Sequence, residues 1–146
     1  MRPRIHVITL AVTDLEQALE FYRRLGLESP GVIGTEFAGD NIHPAGAVVM
    51  FQLQSGLILA LYPRTELAKD ANIPPGPPQA GEFSIGQAVS SRAAVASLLG
   101  QAAKAGAMPT DKPHDRPWGI YSGYFRDLGG HLWEIMWNPP LDTETI

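Results

Sequence analysis

The sequence predicts an α+β fold in which two βαβββ modules form a half-open, curved, mixed sheet with helices outside. Two observations predict it. Each half of the 146-residue chain reads as a strand, a helix and further strands, with the first strand ending at Val12 in one half and Val89 in the other. Hydrophobic residues make up 45% and charged residues 18%, which is enough apolar surface for a packed core. The chain is therefore expected to be one domain over residues 1–146.

The first module is predicted over residues 5–62. Its opening strand is rich in Ile, Val and Thr, and the helix that follows has a possible capping box at Thr13 with Glu16 or at Asp14 with Gln17. A glycine stands at the predicted C-terminal end of that helix. The predicted elements are a strand at 5–12, a helix at 14–25 and strands at 32–37, 47–53 and 57–62.

A proline- and glycine-rich segment, residues 63–82, is predicted to link the two modules, with a possible short helix at 66–71. The sequence leaves open whether this segment is a lid, a linker or a contact between subunits.

The second module is predicted over residues 83–140. Ser90 or Ser91 can cap its helix, and Gly106 follows the last helical residue. The predicted elements are a strand at 83–89, a helix ending at 105, strands at 108–112, 120–125 and 131–137, and a polar loop at 114–119.

Several classes of partner and chemistry are disfavoured by composition. The formal charge of −4 and the absence of a basic stretch argue against nucleic acid. The absence of cysteine excludes disulfides and thiolate metal sites. No apolar run is long enough to span a membrane, and the start of the chain does not resemble a signal peptide. We therefore expect a cytoplasmic protein with neither a nucleic-acid nor a membrane partner.

Four segments together resemble the vicinal oxygen chelate superfamily, also called the glyoxalase/bleomycin-resistance/dioxygenase family. They are ITLAVTDL at 8–15, FY at 21–22, LGL at 25–27 and YFRDLGGHLWEI at 124–135. The resemblance covers nearly the whole chain and implies the fold described above. It does not fix the function, because members include lyases, isomerases, dioxygenases and metal-free antibiotic-binding proteins. Members often pair, so the resemblance also implies a homodimer.

The resemblance also locates four positions at which metal-using members carry His or Glu ligands. In this sequence they fall on Val7, on Leu59 (or Ala60 in a shifted alignment), on Ser84 and on Glu134. Only Glu134 is a ligand type, and one carboxylate does not hold a metal ion. His6 is one residue from the first position, which in a strand points its side chain to the other face. We therefore expect no metal site and no other cofactor.

Glu134 is the candidate catalytic residue. It lies in an apolar strand, where a carboxylate needs a partner. It is either a functional group, acting as general base or binding a cationic or hydroxyl group of a ligand, or a buried remnant paired with an Arg or another donor. The sequence does not decide between these interpretations.

The candidate ligand-binding residues are polar or aromatic side chains in or near apolar strands: Trp118, Tyr121, Ser122, Gln52 and Arg64. Alternation along the strand places Trp118 on one face with Ser122 and Tyr124, and Tyr121 on the other. One of Trp118 and Tyr121 is expected to reach a ligand, although both also suit a core. Gln52 is either a core amide or a ligand donor.

Arg64 and Arg116 can each pair with Glu134 or with an anionic ligand, or can be solvated surface residues. The histidines have weaker functional signals. His131 is expected to support a turn, and no spacing pairs the predicted loop residues His43 and His114 as metal ligands.

The sequence thus predicts a metal-independent small-molecule-binding protein with its ligand in the cleft of the curved sheet. The alternative is a lyase, isomerase or dioxygenase of the same superfamily, using Glu134 as base or as part of a divalent-metal site. A third possibility is an interaction protein with an empty cleft.

Overall fold

The computed structural model describes residues 1–34, 39–41, 45–78 and 81–140, apart from the side chain of Ser55. The chain divides into two compact units, Met1–Pro77 and Pro78–Ile146. The described strands form two open mixed sheets, of three and four strands, flanked by helices. The predicted α+β class is confirmed. Within the described ranges, no helix is both long and apolar enough to cross a membrane.

The first unit has a three-stranded sheet. Its elements are β1 (Val7–Val12), α1 (Leu15–Arg24), β2 (Val49–Gln52), β3 (Ile58–Pro63) and α2 (Arg64–Ala71). Strand β3 is central, parallel to β1 and antiparallel to β2. Of the strand predicted at 32–37, Ile33 forms a single antiparallel bridge with Val48, and residues 35–37 lie outside the described residues.

Helix α1 begins and ends as its sequence predicts. Asp14 accepts a hydrogen bond from the Gln17 backbone N–H at 3.0 Å, which selects the second of the two capping pairs. Gly26, with a φ of +96°, lets the Leu27 N–H reach the Tyr22 carbonyl at 3.1 Å. The apolar side of α1 is buried, and Tyr22 packs on Phe51 of β2 with ring centroids 5.8 Å apart.

The second unit is a βαβββ module with a four-stranded sheet. Its elements are β4 (Ile85–Ala88), α3 (Arg92–Ala105), β5 (Met108–Asp115), β6 (Tyr121–Arg126) and β7 (Leu132–Trp137). The strand order is β4-β7-β6-β5, and β4 runs parallel to β7. Ser91 caps α3 by accepting from the Ala94 N–H at 3.0 Å, and Gly106 ends it.

The structure corrects the interpretation of residues 108–119. Strand β5 continues to Asp115, so the predicted loop at 114–119 was wrong for its first two residues. It pairs with β6 through two register shifts, which accommodate the prolines at 109 and 113. The turn that follows is Pro117–Gly119, where Trp118 has a φ of +69°. The strand alternation therefore does not extend back to Trp118, and its predicted place on the Ser122 face was wrong.

Helix α3 covers one face of the second sheet. A Cβ on Gly123 would lie 2.6 Å from Cδ1 of Leu99, so Gly123 faces the helix. Because side chains alternate along a strand, Ser122 and Tyr124 lie on the opposite face. We call this side of the second sheet, which α3 does not cover, its open face.

A buried carboxylate shapes the turn between β6 and β7. Asp127 Oδ1 accepts from the backbone N–H groups of Gly129 and His131, at 3.0 and 2.8 Å. His131 Nδ1 lies 2.9 Å from the same oxygen, and Trp133 Nε1 donates to Oδ2 at 3.3 Å. The prediction that His131 supports this turn is confirmed.

Candidate functional site

A connected set of polar side chains lies on the open face of the second sheet. Ser122 Oγ donates a hydrogen bond to Glu134 Oε2 at 2.7 Å, and Arg116 Nε donates to Ser122 Oγ at 3.0 Å. Tyr124 stands directly opposite Glu134 in the β6–β7 pairing. We call these four residues, together with Asp111 and His114, the open-face network.

Arg116 is held in place by several partners. Its second amino group donates to the Ser122 carbonyl at 3.1 Å and lies 2.9 Å from Asp111 Oδ2. Its guanidinium lies over the Tyr124 ring, 5.2 Å from the centroid. The sharp turn at Pro117–Gly119 makes this possible, because it folds the residue before the turn back beside β6.

Asp111 joins the network from β5. The same Oδ2 that contacts Arg116 also lies 3.0 Å from His114 Nε2. These hydrogen bonds, first from His114 and then from Arg116, lower the pKa of Asp111 below its ordinary value. Asp111 and Arg116 therefore form a local charge pair at the β5 edge of the network.

Burial raises the pKa of Tyr124, and the negative charge of Glu134 raises it further. The phenol therefore stays protonated. Glu134 thus accepts one hydroxyl hydrogen bond, from Ser122, and the neutral phenol of Tyr124 stands opposite it in the strand pair. Within residues 81–140 no Lys, Arg or His forms an ion pair with it.

The other side of Glu134 has no bulky strand neighbour. Its partner in the parallel β4–β7 pairing is Gly86. The end of the Met136 side chain lies over this glycine, where its Cε would be 2.8 Å from an added Cβ. Glu134 is therefore bordered by an aromatic ring on β6 and by a flexible thioether along its own strand.

The structure brings together two of the six predicted site residues, Ser122 and Glu134. Ser122 is fully buried and bridges Arg116 to Glu134. Tyr121 lies on the face that α3 covers, with the Arg92 guanidinium 4.6 Å from its ring centroid. Trp118 is 88% exposed at the turn. Neither Tyr121 nor Trp118 joins the open-face network. That any of Ser122, Glu134, Tyr121 and Trp118 contacts a ligand stays a prediction.

The two remaining predicted residues belong to the first unit. Gln52 is exposed at the end of β2, opposite Ile58. Arg64 begins α2 and donates to the Ala11 carbonyl at 3.2 Å, which ties α2 to the end of β1. Their proposed roles in ligand binding also stay predictions.

Asp111 and Tyr124 were not among the predicted site residues, and Arg116, a candidate partner of Glu134, contacts Asp111 and Ser122 instead. Tyr124 could have been found, because it lies two residues after Ser122 and so shares its face. Asp111 and His114 could not. Nothing in the sequence pairs the strand predicted at 108–112 with β6, and His114 was predicted to lie in a loop. His43 lies outside the described residues.

The residues at the family's ligand positions do not suit a divalent metal. Val7, Leu59, Ala60 and Ser84 supply no imidazole or carboxylate, and Glu134 already accepts a hydrogen bond from Ser122. No three His, Asp or Glu side chains come together as a metal-binding group in the part of the chain that the structure describes. The donor set therefore does not fit the family's metal.

Solved structures with the same fold include enzymes and a resistance protein. A glyoxalase-related enzyme from Fulvimarina pelagi has a TM-score of 0.80 and 25% identity, covering 99% of this chain and 96% of its own. A lactoylglutathione lyase from Agrobacterium tumefaciens has a TM-score of 0.63 and 26% identity, covering 94% and 95%. The fosfomycin resistance protein FosX from Listeria monocytogenes has a TM-score of 0.66 and 18% identity, covering 96% and 97%.

Among curated proteins, none matches the sequence significantly. A family model does match, over residues 4–135, which is most of the chain. It describes the Glyoxalase/Bleomycin resistance protein/Dioxygenase superfamily. With the two-sheet fold and the retained glutamate on β7, this match shows that the chain belongs to that superfamily.

Proposed function

We propose that the protein binds a small molecule without a metal ion, on the open face of the second sheet, with Glu134 as the polar anchor. One observation carries this proposal. The single ligand-type residue at the family's metal positions accepts a hydrogen bond from Ser122 and stands opposite the neutral phenol of Tyr124. Ser122 orients the carboxylate without neutralising it, and no Lys, Arg or His of residues 81–140 pairs with its charge.

The surroundings of Glu134 suit a small organic ligand. Binding sites for small molecules are mostly apolar, with a few polar groups that fix the ligand's orientation. Tyr124, Leu132 and Met136 on the same face are each partly exposed, and Gly86 adds no side chain. A ligand here would contact one carboxylate amid aromatic and aliphatic surface.

The relatives support a small-molecule ligand without identifying it. Two of the similar structures are named for different small molecules. One is a lactoylglutathione lyase and the other is a fosfomycin resistance protein. We extend to this chain only the shared class of ligand. We also propose a cytoplasmic homodimer, since members of the superfamily often pair.

Native mass spectrometry of freshly purified protein, with elemental analysis of the same sample, tests the proposal. We expect a metal-free mass near twice 15.8 kDa, with any additional organic mass reduced in Glu134→Gln. A stoichiometric transition metal that is lost in Glu134→Gln would overturn metal independence. That result would favour the alternative, a lyase, isomerase or dioxygenase that uses Glu134 in a divalent-metal site.

A further inference from the structure

The charges of the open-face network are unevenly paired. It contains two carboxylates, Asp111 and Glu134, and one guanidinium, Arg116. The guanidinium lies 2.9 Å from Asp111, whereas within residues 81–140 Glu134 accepts a hydrogen bond only from the Ser122 hydroxyl. The network thus presents a carboxylate without a cationic partner in its own unit, next to a cation committed elsewhere.

We propose that the ligand is an organic cation whose N–H groups donate to Glu134, and that Asp111 determines this specificity without touching the ligand. The inference rests on the proposed binding role of Glu134. Hydrogen bonds between an ionised donor and a carboxylate are stronger than those between neutral groups. A ligand ammonium or amidinium therefore gains more from this carboxylate than a neutral or anionic ligand of the same shape.

The role of Asp111 follows from the position of Arg116. Arg116 Nε donates a hydrogen bond to Ser122 Oγ, and the same hydroxyl group donates one to Glu134. The guanidinium is therefore one hydroxyl group away from Glu134. Asp111 holds its amino group on the β5 side, at 2.9 Å. Without Asp111, Arg116 would turn toward Glu134 and occupy the place of a cationic ligand.

The side chains beside Glu134 indicate what kind of group is attached to the cationic centre of the ligand. One face of the Tyr124 ring is covered by Arg116, and Tyr124 stands opposite Glu134 in the β6–β7 pairing. Met136 lies on the other side of Glu134, over Gly86, and can move aside because its chain is flexible. An aromatic or aliphatic group attached to the cation fits between these two side chains.

Three isosteric probes test the ligand class: benzamidine as the cation, benzamide as the neutral form and benzoate as the anion. Binding is measured from chemical-shift changes in the amide NMR spectrum of the full chain at millimolar probe concentrations. We expect benzamidine to bind at least about tenfold more tightly than the other two, with this preference lost in Glu134→Gln. Equal or tighter binding of benzamide or benzoate at Glu134 would overturn the proposed preference for a cation but would support the binding function. No binding by any probe would overturn both.

A double-mutant cycle tests the role of Asp111. We expect Asp111→Asn to weaken benzamidine binding about tenfold in the natural protein and to have little effect when Arg116→Gln is already present. Asp111→Ser should give the same result, so a folding defect in one variant does not prevent the test. Asp115→Asn is the matched control, because this carboxylate pairs with Arg92 and its loss removes the same charge from β5.

An equal loss on removing Asp111 in both backgrounds would overturn the proposed role, since it would show a direct electrostatic effect. No loss in the natural background would overturn it as well.

Discussion

The two halves of this chain repeat one pattern of packing but differ in what their sheets leave uncovered. On the helix side both are apolar: β1, β2 and β3 bury residues such as Leu10, Phe51 and Leu61, and β6 and β7 bury Phe125 and Ile135. On the opposite side the first sheet presents neutral residues, including Val7, Thr9, Met50 and Gln52. The second presents the open-face network.

This difference follows from what each side of a sheet contributes to the fold. The helix-facing side must stay apolar in both halves, because it provides most of the stability of each. The opposite side is less constrained, and among the strands described the charged side chains and histidine lie in the second half alone. The binding function is therefore best sought on the second sheet. The contrast between the two sheets can be tested by substitutions in each half.

The largest difference in the free energy of unfolding is expected between the two turns that join the last two strands of each half. Asp127→Ala should lower the free energy of unfolding by about 3 kcal/mol or more, because it leaves the N–H groups of Gly129, His131 and Trp133 without their buried acceptor. In the first half, Gln54→Ala in the β2–β3 turn should cost little, since Gln54 is exposed.

Urea unfolding of both variants measures this contrast. Asp127→Asn is the intermediate case, because its amide oxygen can still accept the two backbone hydrogen bonds. A loss for Asp127→Ala no greater than that for Gln54→Ala would show that the second turn is not held by its carboxylate.

The next effect compares the two faces of the second sheet. Gly123→Ala should cost about 1–3 kcal/mol, because its Cβ would meet Leu99 of α3 at 2.6 Å and backbone atoms of β5 at 3.0 and 3.1 Å. Gly86→Ala should cost less, since its only close neighbour is the movable end of Met136 on the open face. Thermal or urea unfolding gives both values. A greater loss for Gly86→Ala would contradict the assignment of faces.

A smaller loss of stability is expected on removing a feature that the two halves share, the N-terminal cap of their first helix. Asp14 and Ser91 cap the first helix of each half through equivalent hydrogen bonds of 3.0 Å. Replacing either by Ala should therefore cost about 1 kcal/mol. Asp14→Asn and Ser91→Thr should retain most of the stability, since both keep an acceptor oxygen. Unequal losses for the two alanine variants would show that the helices contribute differently to their halves.

The parts of the fold that could be predicted are those with local signals. Helices α1 and α3 have capping residues and terminal glycines, and the turn after β6 has the Asp–Leu–Gly–Gly sequence of 127–130. The place of Glu134 beside Ser122 depends on pairing between strands. It could be only partly anticipated, from the retained carboxylate and the alternation.

The rest depends on geometry that short-range patterns do not encode. Strand β5 contains two prolines and four charged or histidine residues, and it forms because β6 provides partners across two register shifts. The alternation placed Trp118 on a strand face, but it adopts a left-handed conformation in a turn. That turn returns Arg116 to Ser122, a contact that neither residue's sequence neighbours indicate.

The smallest expected effect compares one carboxylate in each half under acid. The pKa of Glu66 is lowered from 4.5, first by the hydrogen bond from the Ala45 N–H and then by Lys69. The pKa of Asp111 is lowered from 3.8, by His114 and Arg116. Since each folded-state pKa lies below its unfolded value, each group stabilises the protein above that unfolded value. Each contribution is lost as the pH falls through the folded-state pKa.

Glu66→Gln and Asp111→Asn should therefore each be less stable than the natural protein at pH 7. The difference should shrink below about pH 4.5 for the first and below about pH 3.8 for the second. Urea unfolding across this range measures both. If the loss for Asp111→Asn stays constant down to the lowest pH, its carboxylate is not the group that binds Arg116 and His114. The charge pairing on the open face of the second sheet would then have to come from other residues.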